Sequence, residues 1–173
     1  MDIFRPDIYR QSIYDIDYKK LKEQGIKCLI FDLDNTLVPI DEDVPNKNLK
    51  EFIFHLEEMG FRVAIVSNSS KKRVSPFKEQ LNVDSAFHSC KPFKKKFKKI
   101  LKLYKLNIYE VVLVGDQLLT DILGANRMGF TSILVNQVGK KDYFWTSINR
   151  KIEKYIYKYL EKNKLLKRGV YYE

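Results

Sequence analysis

The chain has 173 residues, of which 45% are apolar and 31% charged, with seven Gly and five Pro. That composition excludes collagen-like, low-complexity and disordered chains, and the length suits one domain hiding roughly 70% of its unfolded surface. Lys and Arg number 32 against 22 Asp and Glu, and the resulting net charge of +10 leaves nucleic acid, anionic lipid and phosphorylated small molecules as partners without choosing among them.

In chain order, the N-terminus MDIFRPDIYR lacks the apolar core of a signal peptide, and no apolar run approaches the ~20 residues of a membrane span, so the expected setting is cytoplasmic. Cys28 and Cys90 stand far apart in no CxxC pattern, which suggests neither a disulfide framework nor a zinc site. KCLIFD (Lys27 to Asp32) reads as a strand buried on both faces. Leu49, Phe52, Ile53 and Leu56 then recur at helix spacing, with Pro45 and Asn46 as a start signal and Gly60 as a stop. RVAIVS (Arg62 to Ser67) is a second strand, and a short run lies near Ala86 to His88.

Phe93, Phe97, Ile100, Leu101 and Tyr104 form one stripe of a lysine-rich helix predicted over Phe93 to Lys105. EVVLVG (Glu110 to Gly115) is a further strand, DQLLTDILGANRMG a helix ending near Gly129, and TSILV (Thr131 to Val135) the last strand. A basic, aromatic-rich helix is predicted over about 147–166, and the tail from Lys167 is expected to fray. Strands alternating with helices predict an α/β fold, a three-layer sandwich around a mainly parallel sheet, with a core over about 26–136 of a single domain 1–173.

In such sheets ligands bind beyond the carboxyl ends of the strands. Those positions hold Asp32, Asp34, Asn35 and Thr36 after the first run, Ser67 and Asn68 after the second, and Asp116 after the third, with Asp121 a helical turn further on and Lys91 between the second and third. Crowded carboxylates repel unless a cation or a shared proton intervenes, so Asp32, Asp34, Asp116 and Asp121 suggest a Mg²⁺ site. Taken singly, each acid could equally cap a turn or a helix.

DLDNT, a strand-end Ser67, Lys91 and GDQLLTD resemble the four motifs of the haloacid-dehalogenase-like (HAD) phosphatases, over roughly Lys27 to Val135. The resemblance implies that Asp32 attacks phosphorus and that Asp34 protonates the leaving oxygen and then activates water. It implies phosphate contacts from Thr36, Ser67, Asn68 and Lys91, and Mg²⁺ held by Asp32, Asp34, Asp116 and Asp121. Asp at the second position favours a phosphatase over a dehalogenase or a transport ATPase. Neither the interval from Asp32 to Arg62 nor that from Ser67 to Lys91 has room for a cap domain, so a capless, open site is expected; the resemblance then implies bulky phosphates, the preferred side, or small ones taken through oligomer contacts.

IYDIDYKKLKEQGIKCLIFDLDNTLVP, GDQLLTDILGANRMG and TSINRKIEKYI are similar to the phosphatidylglycerophosphate phosphatase, or YqeG-like, branch. That resemblance implies removal of the terminal phosphate from an anionic phospholipid and a peripheral position at the inner face of a membrane. Eight lysines between Lys91 and Lys105, and the row Ile148, Ile152, Ile156 and Leu160 with its interleaved lysines, fit either a lipid surface or ordinary packing with a solvated face. Nucleic acid ranks lower, because Phe93, Phe97 and Tyr104 are expected in the core and not as stacking platforms. Trp145 reads as packing or as an interface marker, and His55 and His88 fit no metal pattern.

Overall fold

A computed structural model describes residues 2–173. Six parallel strands form one sheet in the order β1-β6-β5-β2-β3-β4, with β1 at Ile8–Arg10, β2 at Cys28–Phe31, β3 at Arg62–Val66, β4 at Asp84–Ala86, β5 at Val111–Gly115 and β6 at Thr131–Val135. The helices are α1 (Tyr18–Glu23), α2 (Lys47–Glu58), α3 (Lys71–Leu81), α4 (Lys95–Tyr104), α5 (Leu123–Met128) and α6 (Phe144–Lys162).

Side chains alternate across a strand, so each strand feeds two cores. Leu29 and Phe31 of β2 pack with Leu21 of α1, Ile53 of α2 and Phe77 of α3. Cys28 and Ile30 point the other way, to Phe97 of α4 and Ala125 and Met128 of α5. This is the expected three-layer α/β/α sandwich.

Local chemistry fixes the connections. Asn46 caps α2 by accepting from the Leu49 N–H at 2.9 Å, Ser70 caps α3 by accepting from the Arg73 N–H, and Gly129 ends α5 at φ +79°, a left-handed position that suits glycine. From β2 the chain runs outward through β3 and β4, and from β5 it runs the other way to β6. The carboxyl ends of β2 and β5 therefore flank the point where chain direction switches, and loops diverge there to leave a crevice. No cap domain interrupts either interval: one loop and α2 separate β2 from β3, and α3, β4 and α4 separate β3 from β5.

Several expectations need correction. Phe93 does not join the core stripe: α4 begins at Lys95, and Phe93 is 62% exposed. Residues 118–122 form a π-helical turn ahead of α5, instead of one continuous α-helix. The last helix starts at Phe144, ahead of the expected 147, and ends at Lys162. The tail does not fray: Tyr172 exchanges two backbone hydrogen bonds with Tyr9 of β1, at 2.8 and 3.1 Å, and Leu166 is buried. The Ile148-to-Leu160 row is split, because residues four apart drift about 40° around a helix at each step. Ile156 and Leu160 reach the core beside Tyr9 and Leu134, whereas Ile152 faces outward.

Candidate active site at the switch point

β2 ends at Phe31, and the Asp32 N–H continues the ladder by donating to the Val114 carbonyl of β5 at 2.9 Å. Asp32 is thereby fixed at the crevice, with Asp116 just beyond Gly115 at the end of the neighbouring strand. Asp121 comes from the π-helical turn, where its Oδ2 accepts from the Gln117 N–H at 3.1 Å and its other oxygen remains turned inward. π-turns recur at functional sites. Asp32, Asp116 and Asp121 are all buried, and one carboxylate oxygen of each lies within 4.8 Å of the others.

Lys91 reaches into this group. Its Nζ lies 2.6 Å from Asp32 Oδ1 and 2.7 Å from Asp121 Oδ1, with the side chain almost fully buried. Burial acts to lower the lysine pKa, but Asp121 and Asp32 outweigh it and hold the ammonium above its ordinary value. Burial raises the Asp32 carboxyl well above the usual range, against the pull of Lys91 and with the push of Asp121 and Asp116. The Asp116 carboxyl is also raised by burial, with Arg150 opposing. With all three acids ionised, their charge exceeds that of the two cations, Lys91 and Arg150, an excess that a proton or a metal ion can balance.

That chemistry fits a hard divalent cation. The donors are all oxygen, the excess charge is of the right sign, and Asp121 Oδ1 is buried without a directed hydrogen bond, its ion pair with Lys91 aside. Asp32, Asp116 and Asp121 are the side chains able to hold Mg²⁺.

The Asp34 carboxylate does not join the three. Its Oδ1 accepts from Arg73 Nε at 2.8 Å, and its Oδ2 from the hydroxyls of Ser69 and, at 3.5 Å, Ser67. Asp32 and Asp34 both line the same pocket, but their carboxylates diverge, one toward Lys91 and one toward the first turn of α3. Arg73 also donates to the carbonyls of Pro39, at 3.2 Å, and Glu42, and so ties Asp34 to the loop after β2.

The remaining expected residues occupy supporting positions. Thr36 donates its hydroxyl to Asp116 Oδ1 at 2.9 Å. Asn68 Oδ1 accepts from the Lys91 N–H at 2.7 Å and from the Ser89 hydroxyl at 2.6 Å, which anchors the segment carrying Lys91. Ser67 is buried, and its Oγ accepts from the Ser69 N–H at 3.0 Å. Asn35 sits at φ 63°, a left-handed conformation that asparagine tolerates, and its Nδ2 donates to the Lys141 carbonyl at 2.8 Å and to Asp142 Oδ1 at 3.0 Å. This residue ties the site loop to the segment entering α6.

Sequence reasoning missed that segment. The pocket of about 90 Å³ lined by Asp32, Asp34, Ser67 and Lys91 has Tyr143, Trp145, Thr146 and Asn149 of the α6 start as another wall. Arg150, one turn in, pairs with Asp116, Asp142 and Glu153. Neither Arg73 nor Arg150 carries a sequence signal, since both lie in basic stretches, although TSINRKIEKYI did mark the second region. A pocket of this size suits a phosphoryl group.

The comparisons with known proteins agree with this geometry. A family profile described as "Mitochondrial PGP phosphatase" matches residues 2–139. The "Probable phosphatase YqeG" of Bacillus subtilis (strain 168) is 40% identical over 153 residues, covering 88% of this chain and 89% of that protein. The chloroplastic "Phosphatidylglycerophosphate phosphatase 1" of Chlamydomonas reinhardtii is 26% identical over 160 residues, covering 87% of this chain and 60% of that one. A solved "predicted HAD-like family hydrolase" from Porphyromonas gingivalis shares the fold at a TM-score of 0.53 and 12% identity, covering 74% of this chain and 98% of that one. With the switch-point acids in place and these matches, the chain belongs to the PGP phosphatase family.

Proposed function

We propose that the protein is a Mg²⁺-dependent phosphomonoesterase that works through an aspartyl-phosphate on Asp32, with phosphatidylglycerophosphate as substrate. The observation that carries this reading is the Lys91 ammonium lodged between Asp32 and Asp121, beside Asp116, at the switch point of the sheet.

Bound by Asp32, Asp116 and Asp121, Mg²⁺ would neutralise charge on the phosphoryl oxygens. The chain's own groups do the rest. Lys91 offsets charge on the nucleophile and the transferring group, and Ser67 with neighbouring N–H groups holds phosphate oxygens. An Asp32 oxygen attacks phosphorus as the ester P–O bond breaks, and the leaving oxygen takes its proton from Asp34. Water then attacks the acyl phosphate and gives its proton to Asp34, and the bond to Asp32 breaks to release inorganic phosphate. Arg73 and Ser69 hold the Asp34 side chain in place, as the acid in the first step and as the base in the second.

The lipid substrate is supported by the family match, by the name of the algal relative, and by a pocket of about 90 Å³, a size that suits the phosphoryl group of a larger substrate. The test is phosphate release with Mg²⁺ from phosphatidylglycerophosphate in mixed micelles, compared with a soluble glycerol phosphate and a 3′-phosphorylated oligonucleotide, each with Asp32→Asn as control. Strong preference for the lipid, lost in the mutant, is expected. Equal or greater release from either soluble substrate would overturn the lipid assignment, and full activity of Asp32→Asn would overturn the nucleophile.

A further inference from the structure

Helix α6 has two apolar faces. Ile156, Tyr157 and Leu160 turn inward and pack with Tyr9, Leu118 and Leu134. At 100° per residue, Phe144, Ile148, Ile152 and Tyr155 fall within one quadrant, centred about 130° around the helix from the buried set. There Phe144 is 73% exposed and Tyr155 74%, and Ile152 is exposed as well. The outward stripe runs along most of a helix about 28 Å long. Its first turn adds Trp145, which is 75% exposed although it lines the catalytic pocket. The rings of Phe144 and Trp145 pack edge to face on each other, with centroids 5.5 Å apart, and not on the core.

Basic side chains border this stripe. Lys151, Lys154 and Lys158 flank it along α6, all exposed and without an acidic partner among the described residues. Lys140 precedes it, exposed and likewise unpaired among the described residues. Beyond Lys91, which lines the same pocket, come exposed Phe93 and then Lys94 and Lys95. In the loop after β2, Asp41 pairs with Lys141 at 3.0 Å and Asp43 lies 3.6 Å from Arg73. An apolar stripe with an aromatic end and a lysine border is the make-up of a helix lying in the plane of a membrane interface, where Trp and Tyr sit at headgroup level and lysines meet anionic headgroups.

We infer that the outward face of α6 is a docking surface for an anionic phospholipid bilayer, and that it sets the mouth of the catalytic pocket at the level of the lipid headgroups. This rests on the lipid-phosphatase reading for its choice of partner, and it gives that reading a physical route: the phosphate enters the pocket while the acyl chains stay in the membrane. No helix among the described residues is long and apolar enough to cross a membrane, so α6 would lie on the surface.

Trp145 is the only tryptophan, which makes its emission a direct probe. With vesicles containing phosphatidylglycerol, the emission should move to shorter wavelength and most of it should be lost to lipids brominated on their acyl chains. Phosphatidylcholine vesicles should do far less, and salt should weaken the effect by screening. Phe144→Ser, a change at an exposed position, should leave the unfolding temperature unchanged and weaken vesicle partition about tenfold, the equivalent of ~1.4 kcal/mol.

Unshifted emission while the protein sediments with anionic vesicles would overturn the inference, because another surface would then be docking. So would an absence of vesicle binding, or an emission shift that grows with protein concentration without lipid, which would mark a second copy as the occupant. Hydrolysis of phosphatidylglycerophosphate in micelles by a protein whose Trp145 stays in water would remove the docking surface and leave the enzymatic reading standing. Insertion of Trp145 without hydrolysis of that lipid would do the reverse.

Discussion

Arg150 of α6 grips Asp116 twice, donating from Nη1 to its backbone carbonyl at 2.9 Å and from Nη2 to its carboxylate. The last helix is thus bound electrostatically to an acid at the switch-point crevice, and Arg150 and the proposed Mg²⁺ would answer the same negative charge. Replacing Arg150 with Gln leaves Asp116 buried without its cation, a change that costs about 3 kcal/mol for a buried pair. In EDTA the variant should melt roughly 5–10 °C below the wild type, and saturating Mg²⁺ should narrow the gap because the ion then balances Asp116. Calorimetry with and without Mg²⁺ checks this; an equal deficit in both conditions would mean that Arg150 and the metal do not share the charge.

Gly115 closes β5 against Asp121, and a methyl group built there would overlap the Asp121 carboxylate. Gly115→Ala must therefore push Asp121 away from Lys91 and out of the three-acid cluster. Displacing one of three ligands should weaken apparent Mg²⁺ affinity by about tenfold or more. Titrating activity with Mg²⁺ reads this directly, and an unchanged midpoint would remove Asp121 from the metal site.

The sheet was legible where four runs of continuous apolar residues mark strands buried on both faces, and β2, β3, β5 and β6 each fall within the expected run, whereas β4 forms at Asp84–Ala86, ahead of the run expected near Ala86 to His88. β1 was not legible: Ile8–Arg10 is three residues long, and it forms a strand only because β6 and Tyr172 lie beside it. The acids were found because their order at successive strand ends is a local pattern. Arg73 and Arg150 were missed because Lys71-Lys72-Arg73 and Arg150-Lys151 look alike, residue for residue, until the fold turns one cation inward and leaves its neighbours in water. Phe93 misled for the converse reason: it continues the helical stripe by spacing, but the chain enters α4 two residues later.

Arg73 joins Asp34 to two carbonyls of the loop after β2. A guanidinium makes all of these bonds at once from a planar fork, which an ammonium cannot do. Arg73→Ala should free the Asp34 carboxylate and lower kcat by about 10²-fold, the scale of a misplaced catalytic group, with Arg73→Lys falling between. Steady-state kinetics on a soluble ester with saturating Mg²⁺ makes the comparison; wild-type kcat in the alanine variant would show that Asp34 needs no such support.

Glu153 faces the same network from inside α6, with Oε1 accepting from the Leu119 N–H at 2.9 Å and Oε2 lying 3.4 Å from Arg150 Nη1. Burial pushes its carboxyl up to about 7, against the pull of the Leu119 N–H and Arg150. An unfolded glutamate titrates near ~4.3, so between those two values the folded protein holds a proton that the unfolded chain has released. Stability from this group is therefore full below the unfolded value and falls as pH rises toward the folded value, by about 4 kcal/mol at most. Glu153→Gln keeps an acceptor for Leu119 and cannot ionise. In metal-free buffer the variant should match the wild type near about pH 4 and exceed it by about 3 kcal/mol near about pH 8, as read from urea unfolding. Should the variant keep the wild-type slope, the pH dependence belongs instead to Asp32 or Asp116, whose carboxyls burial also raises.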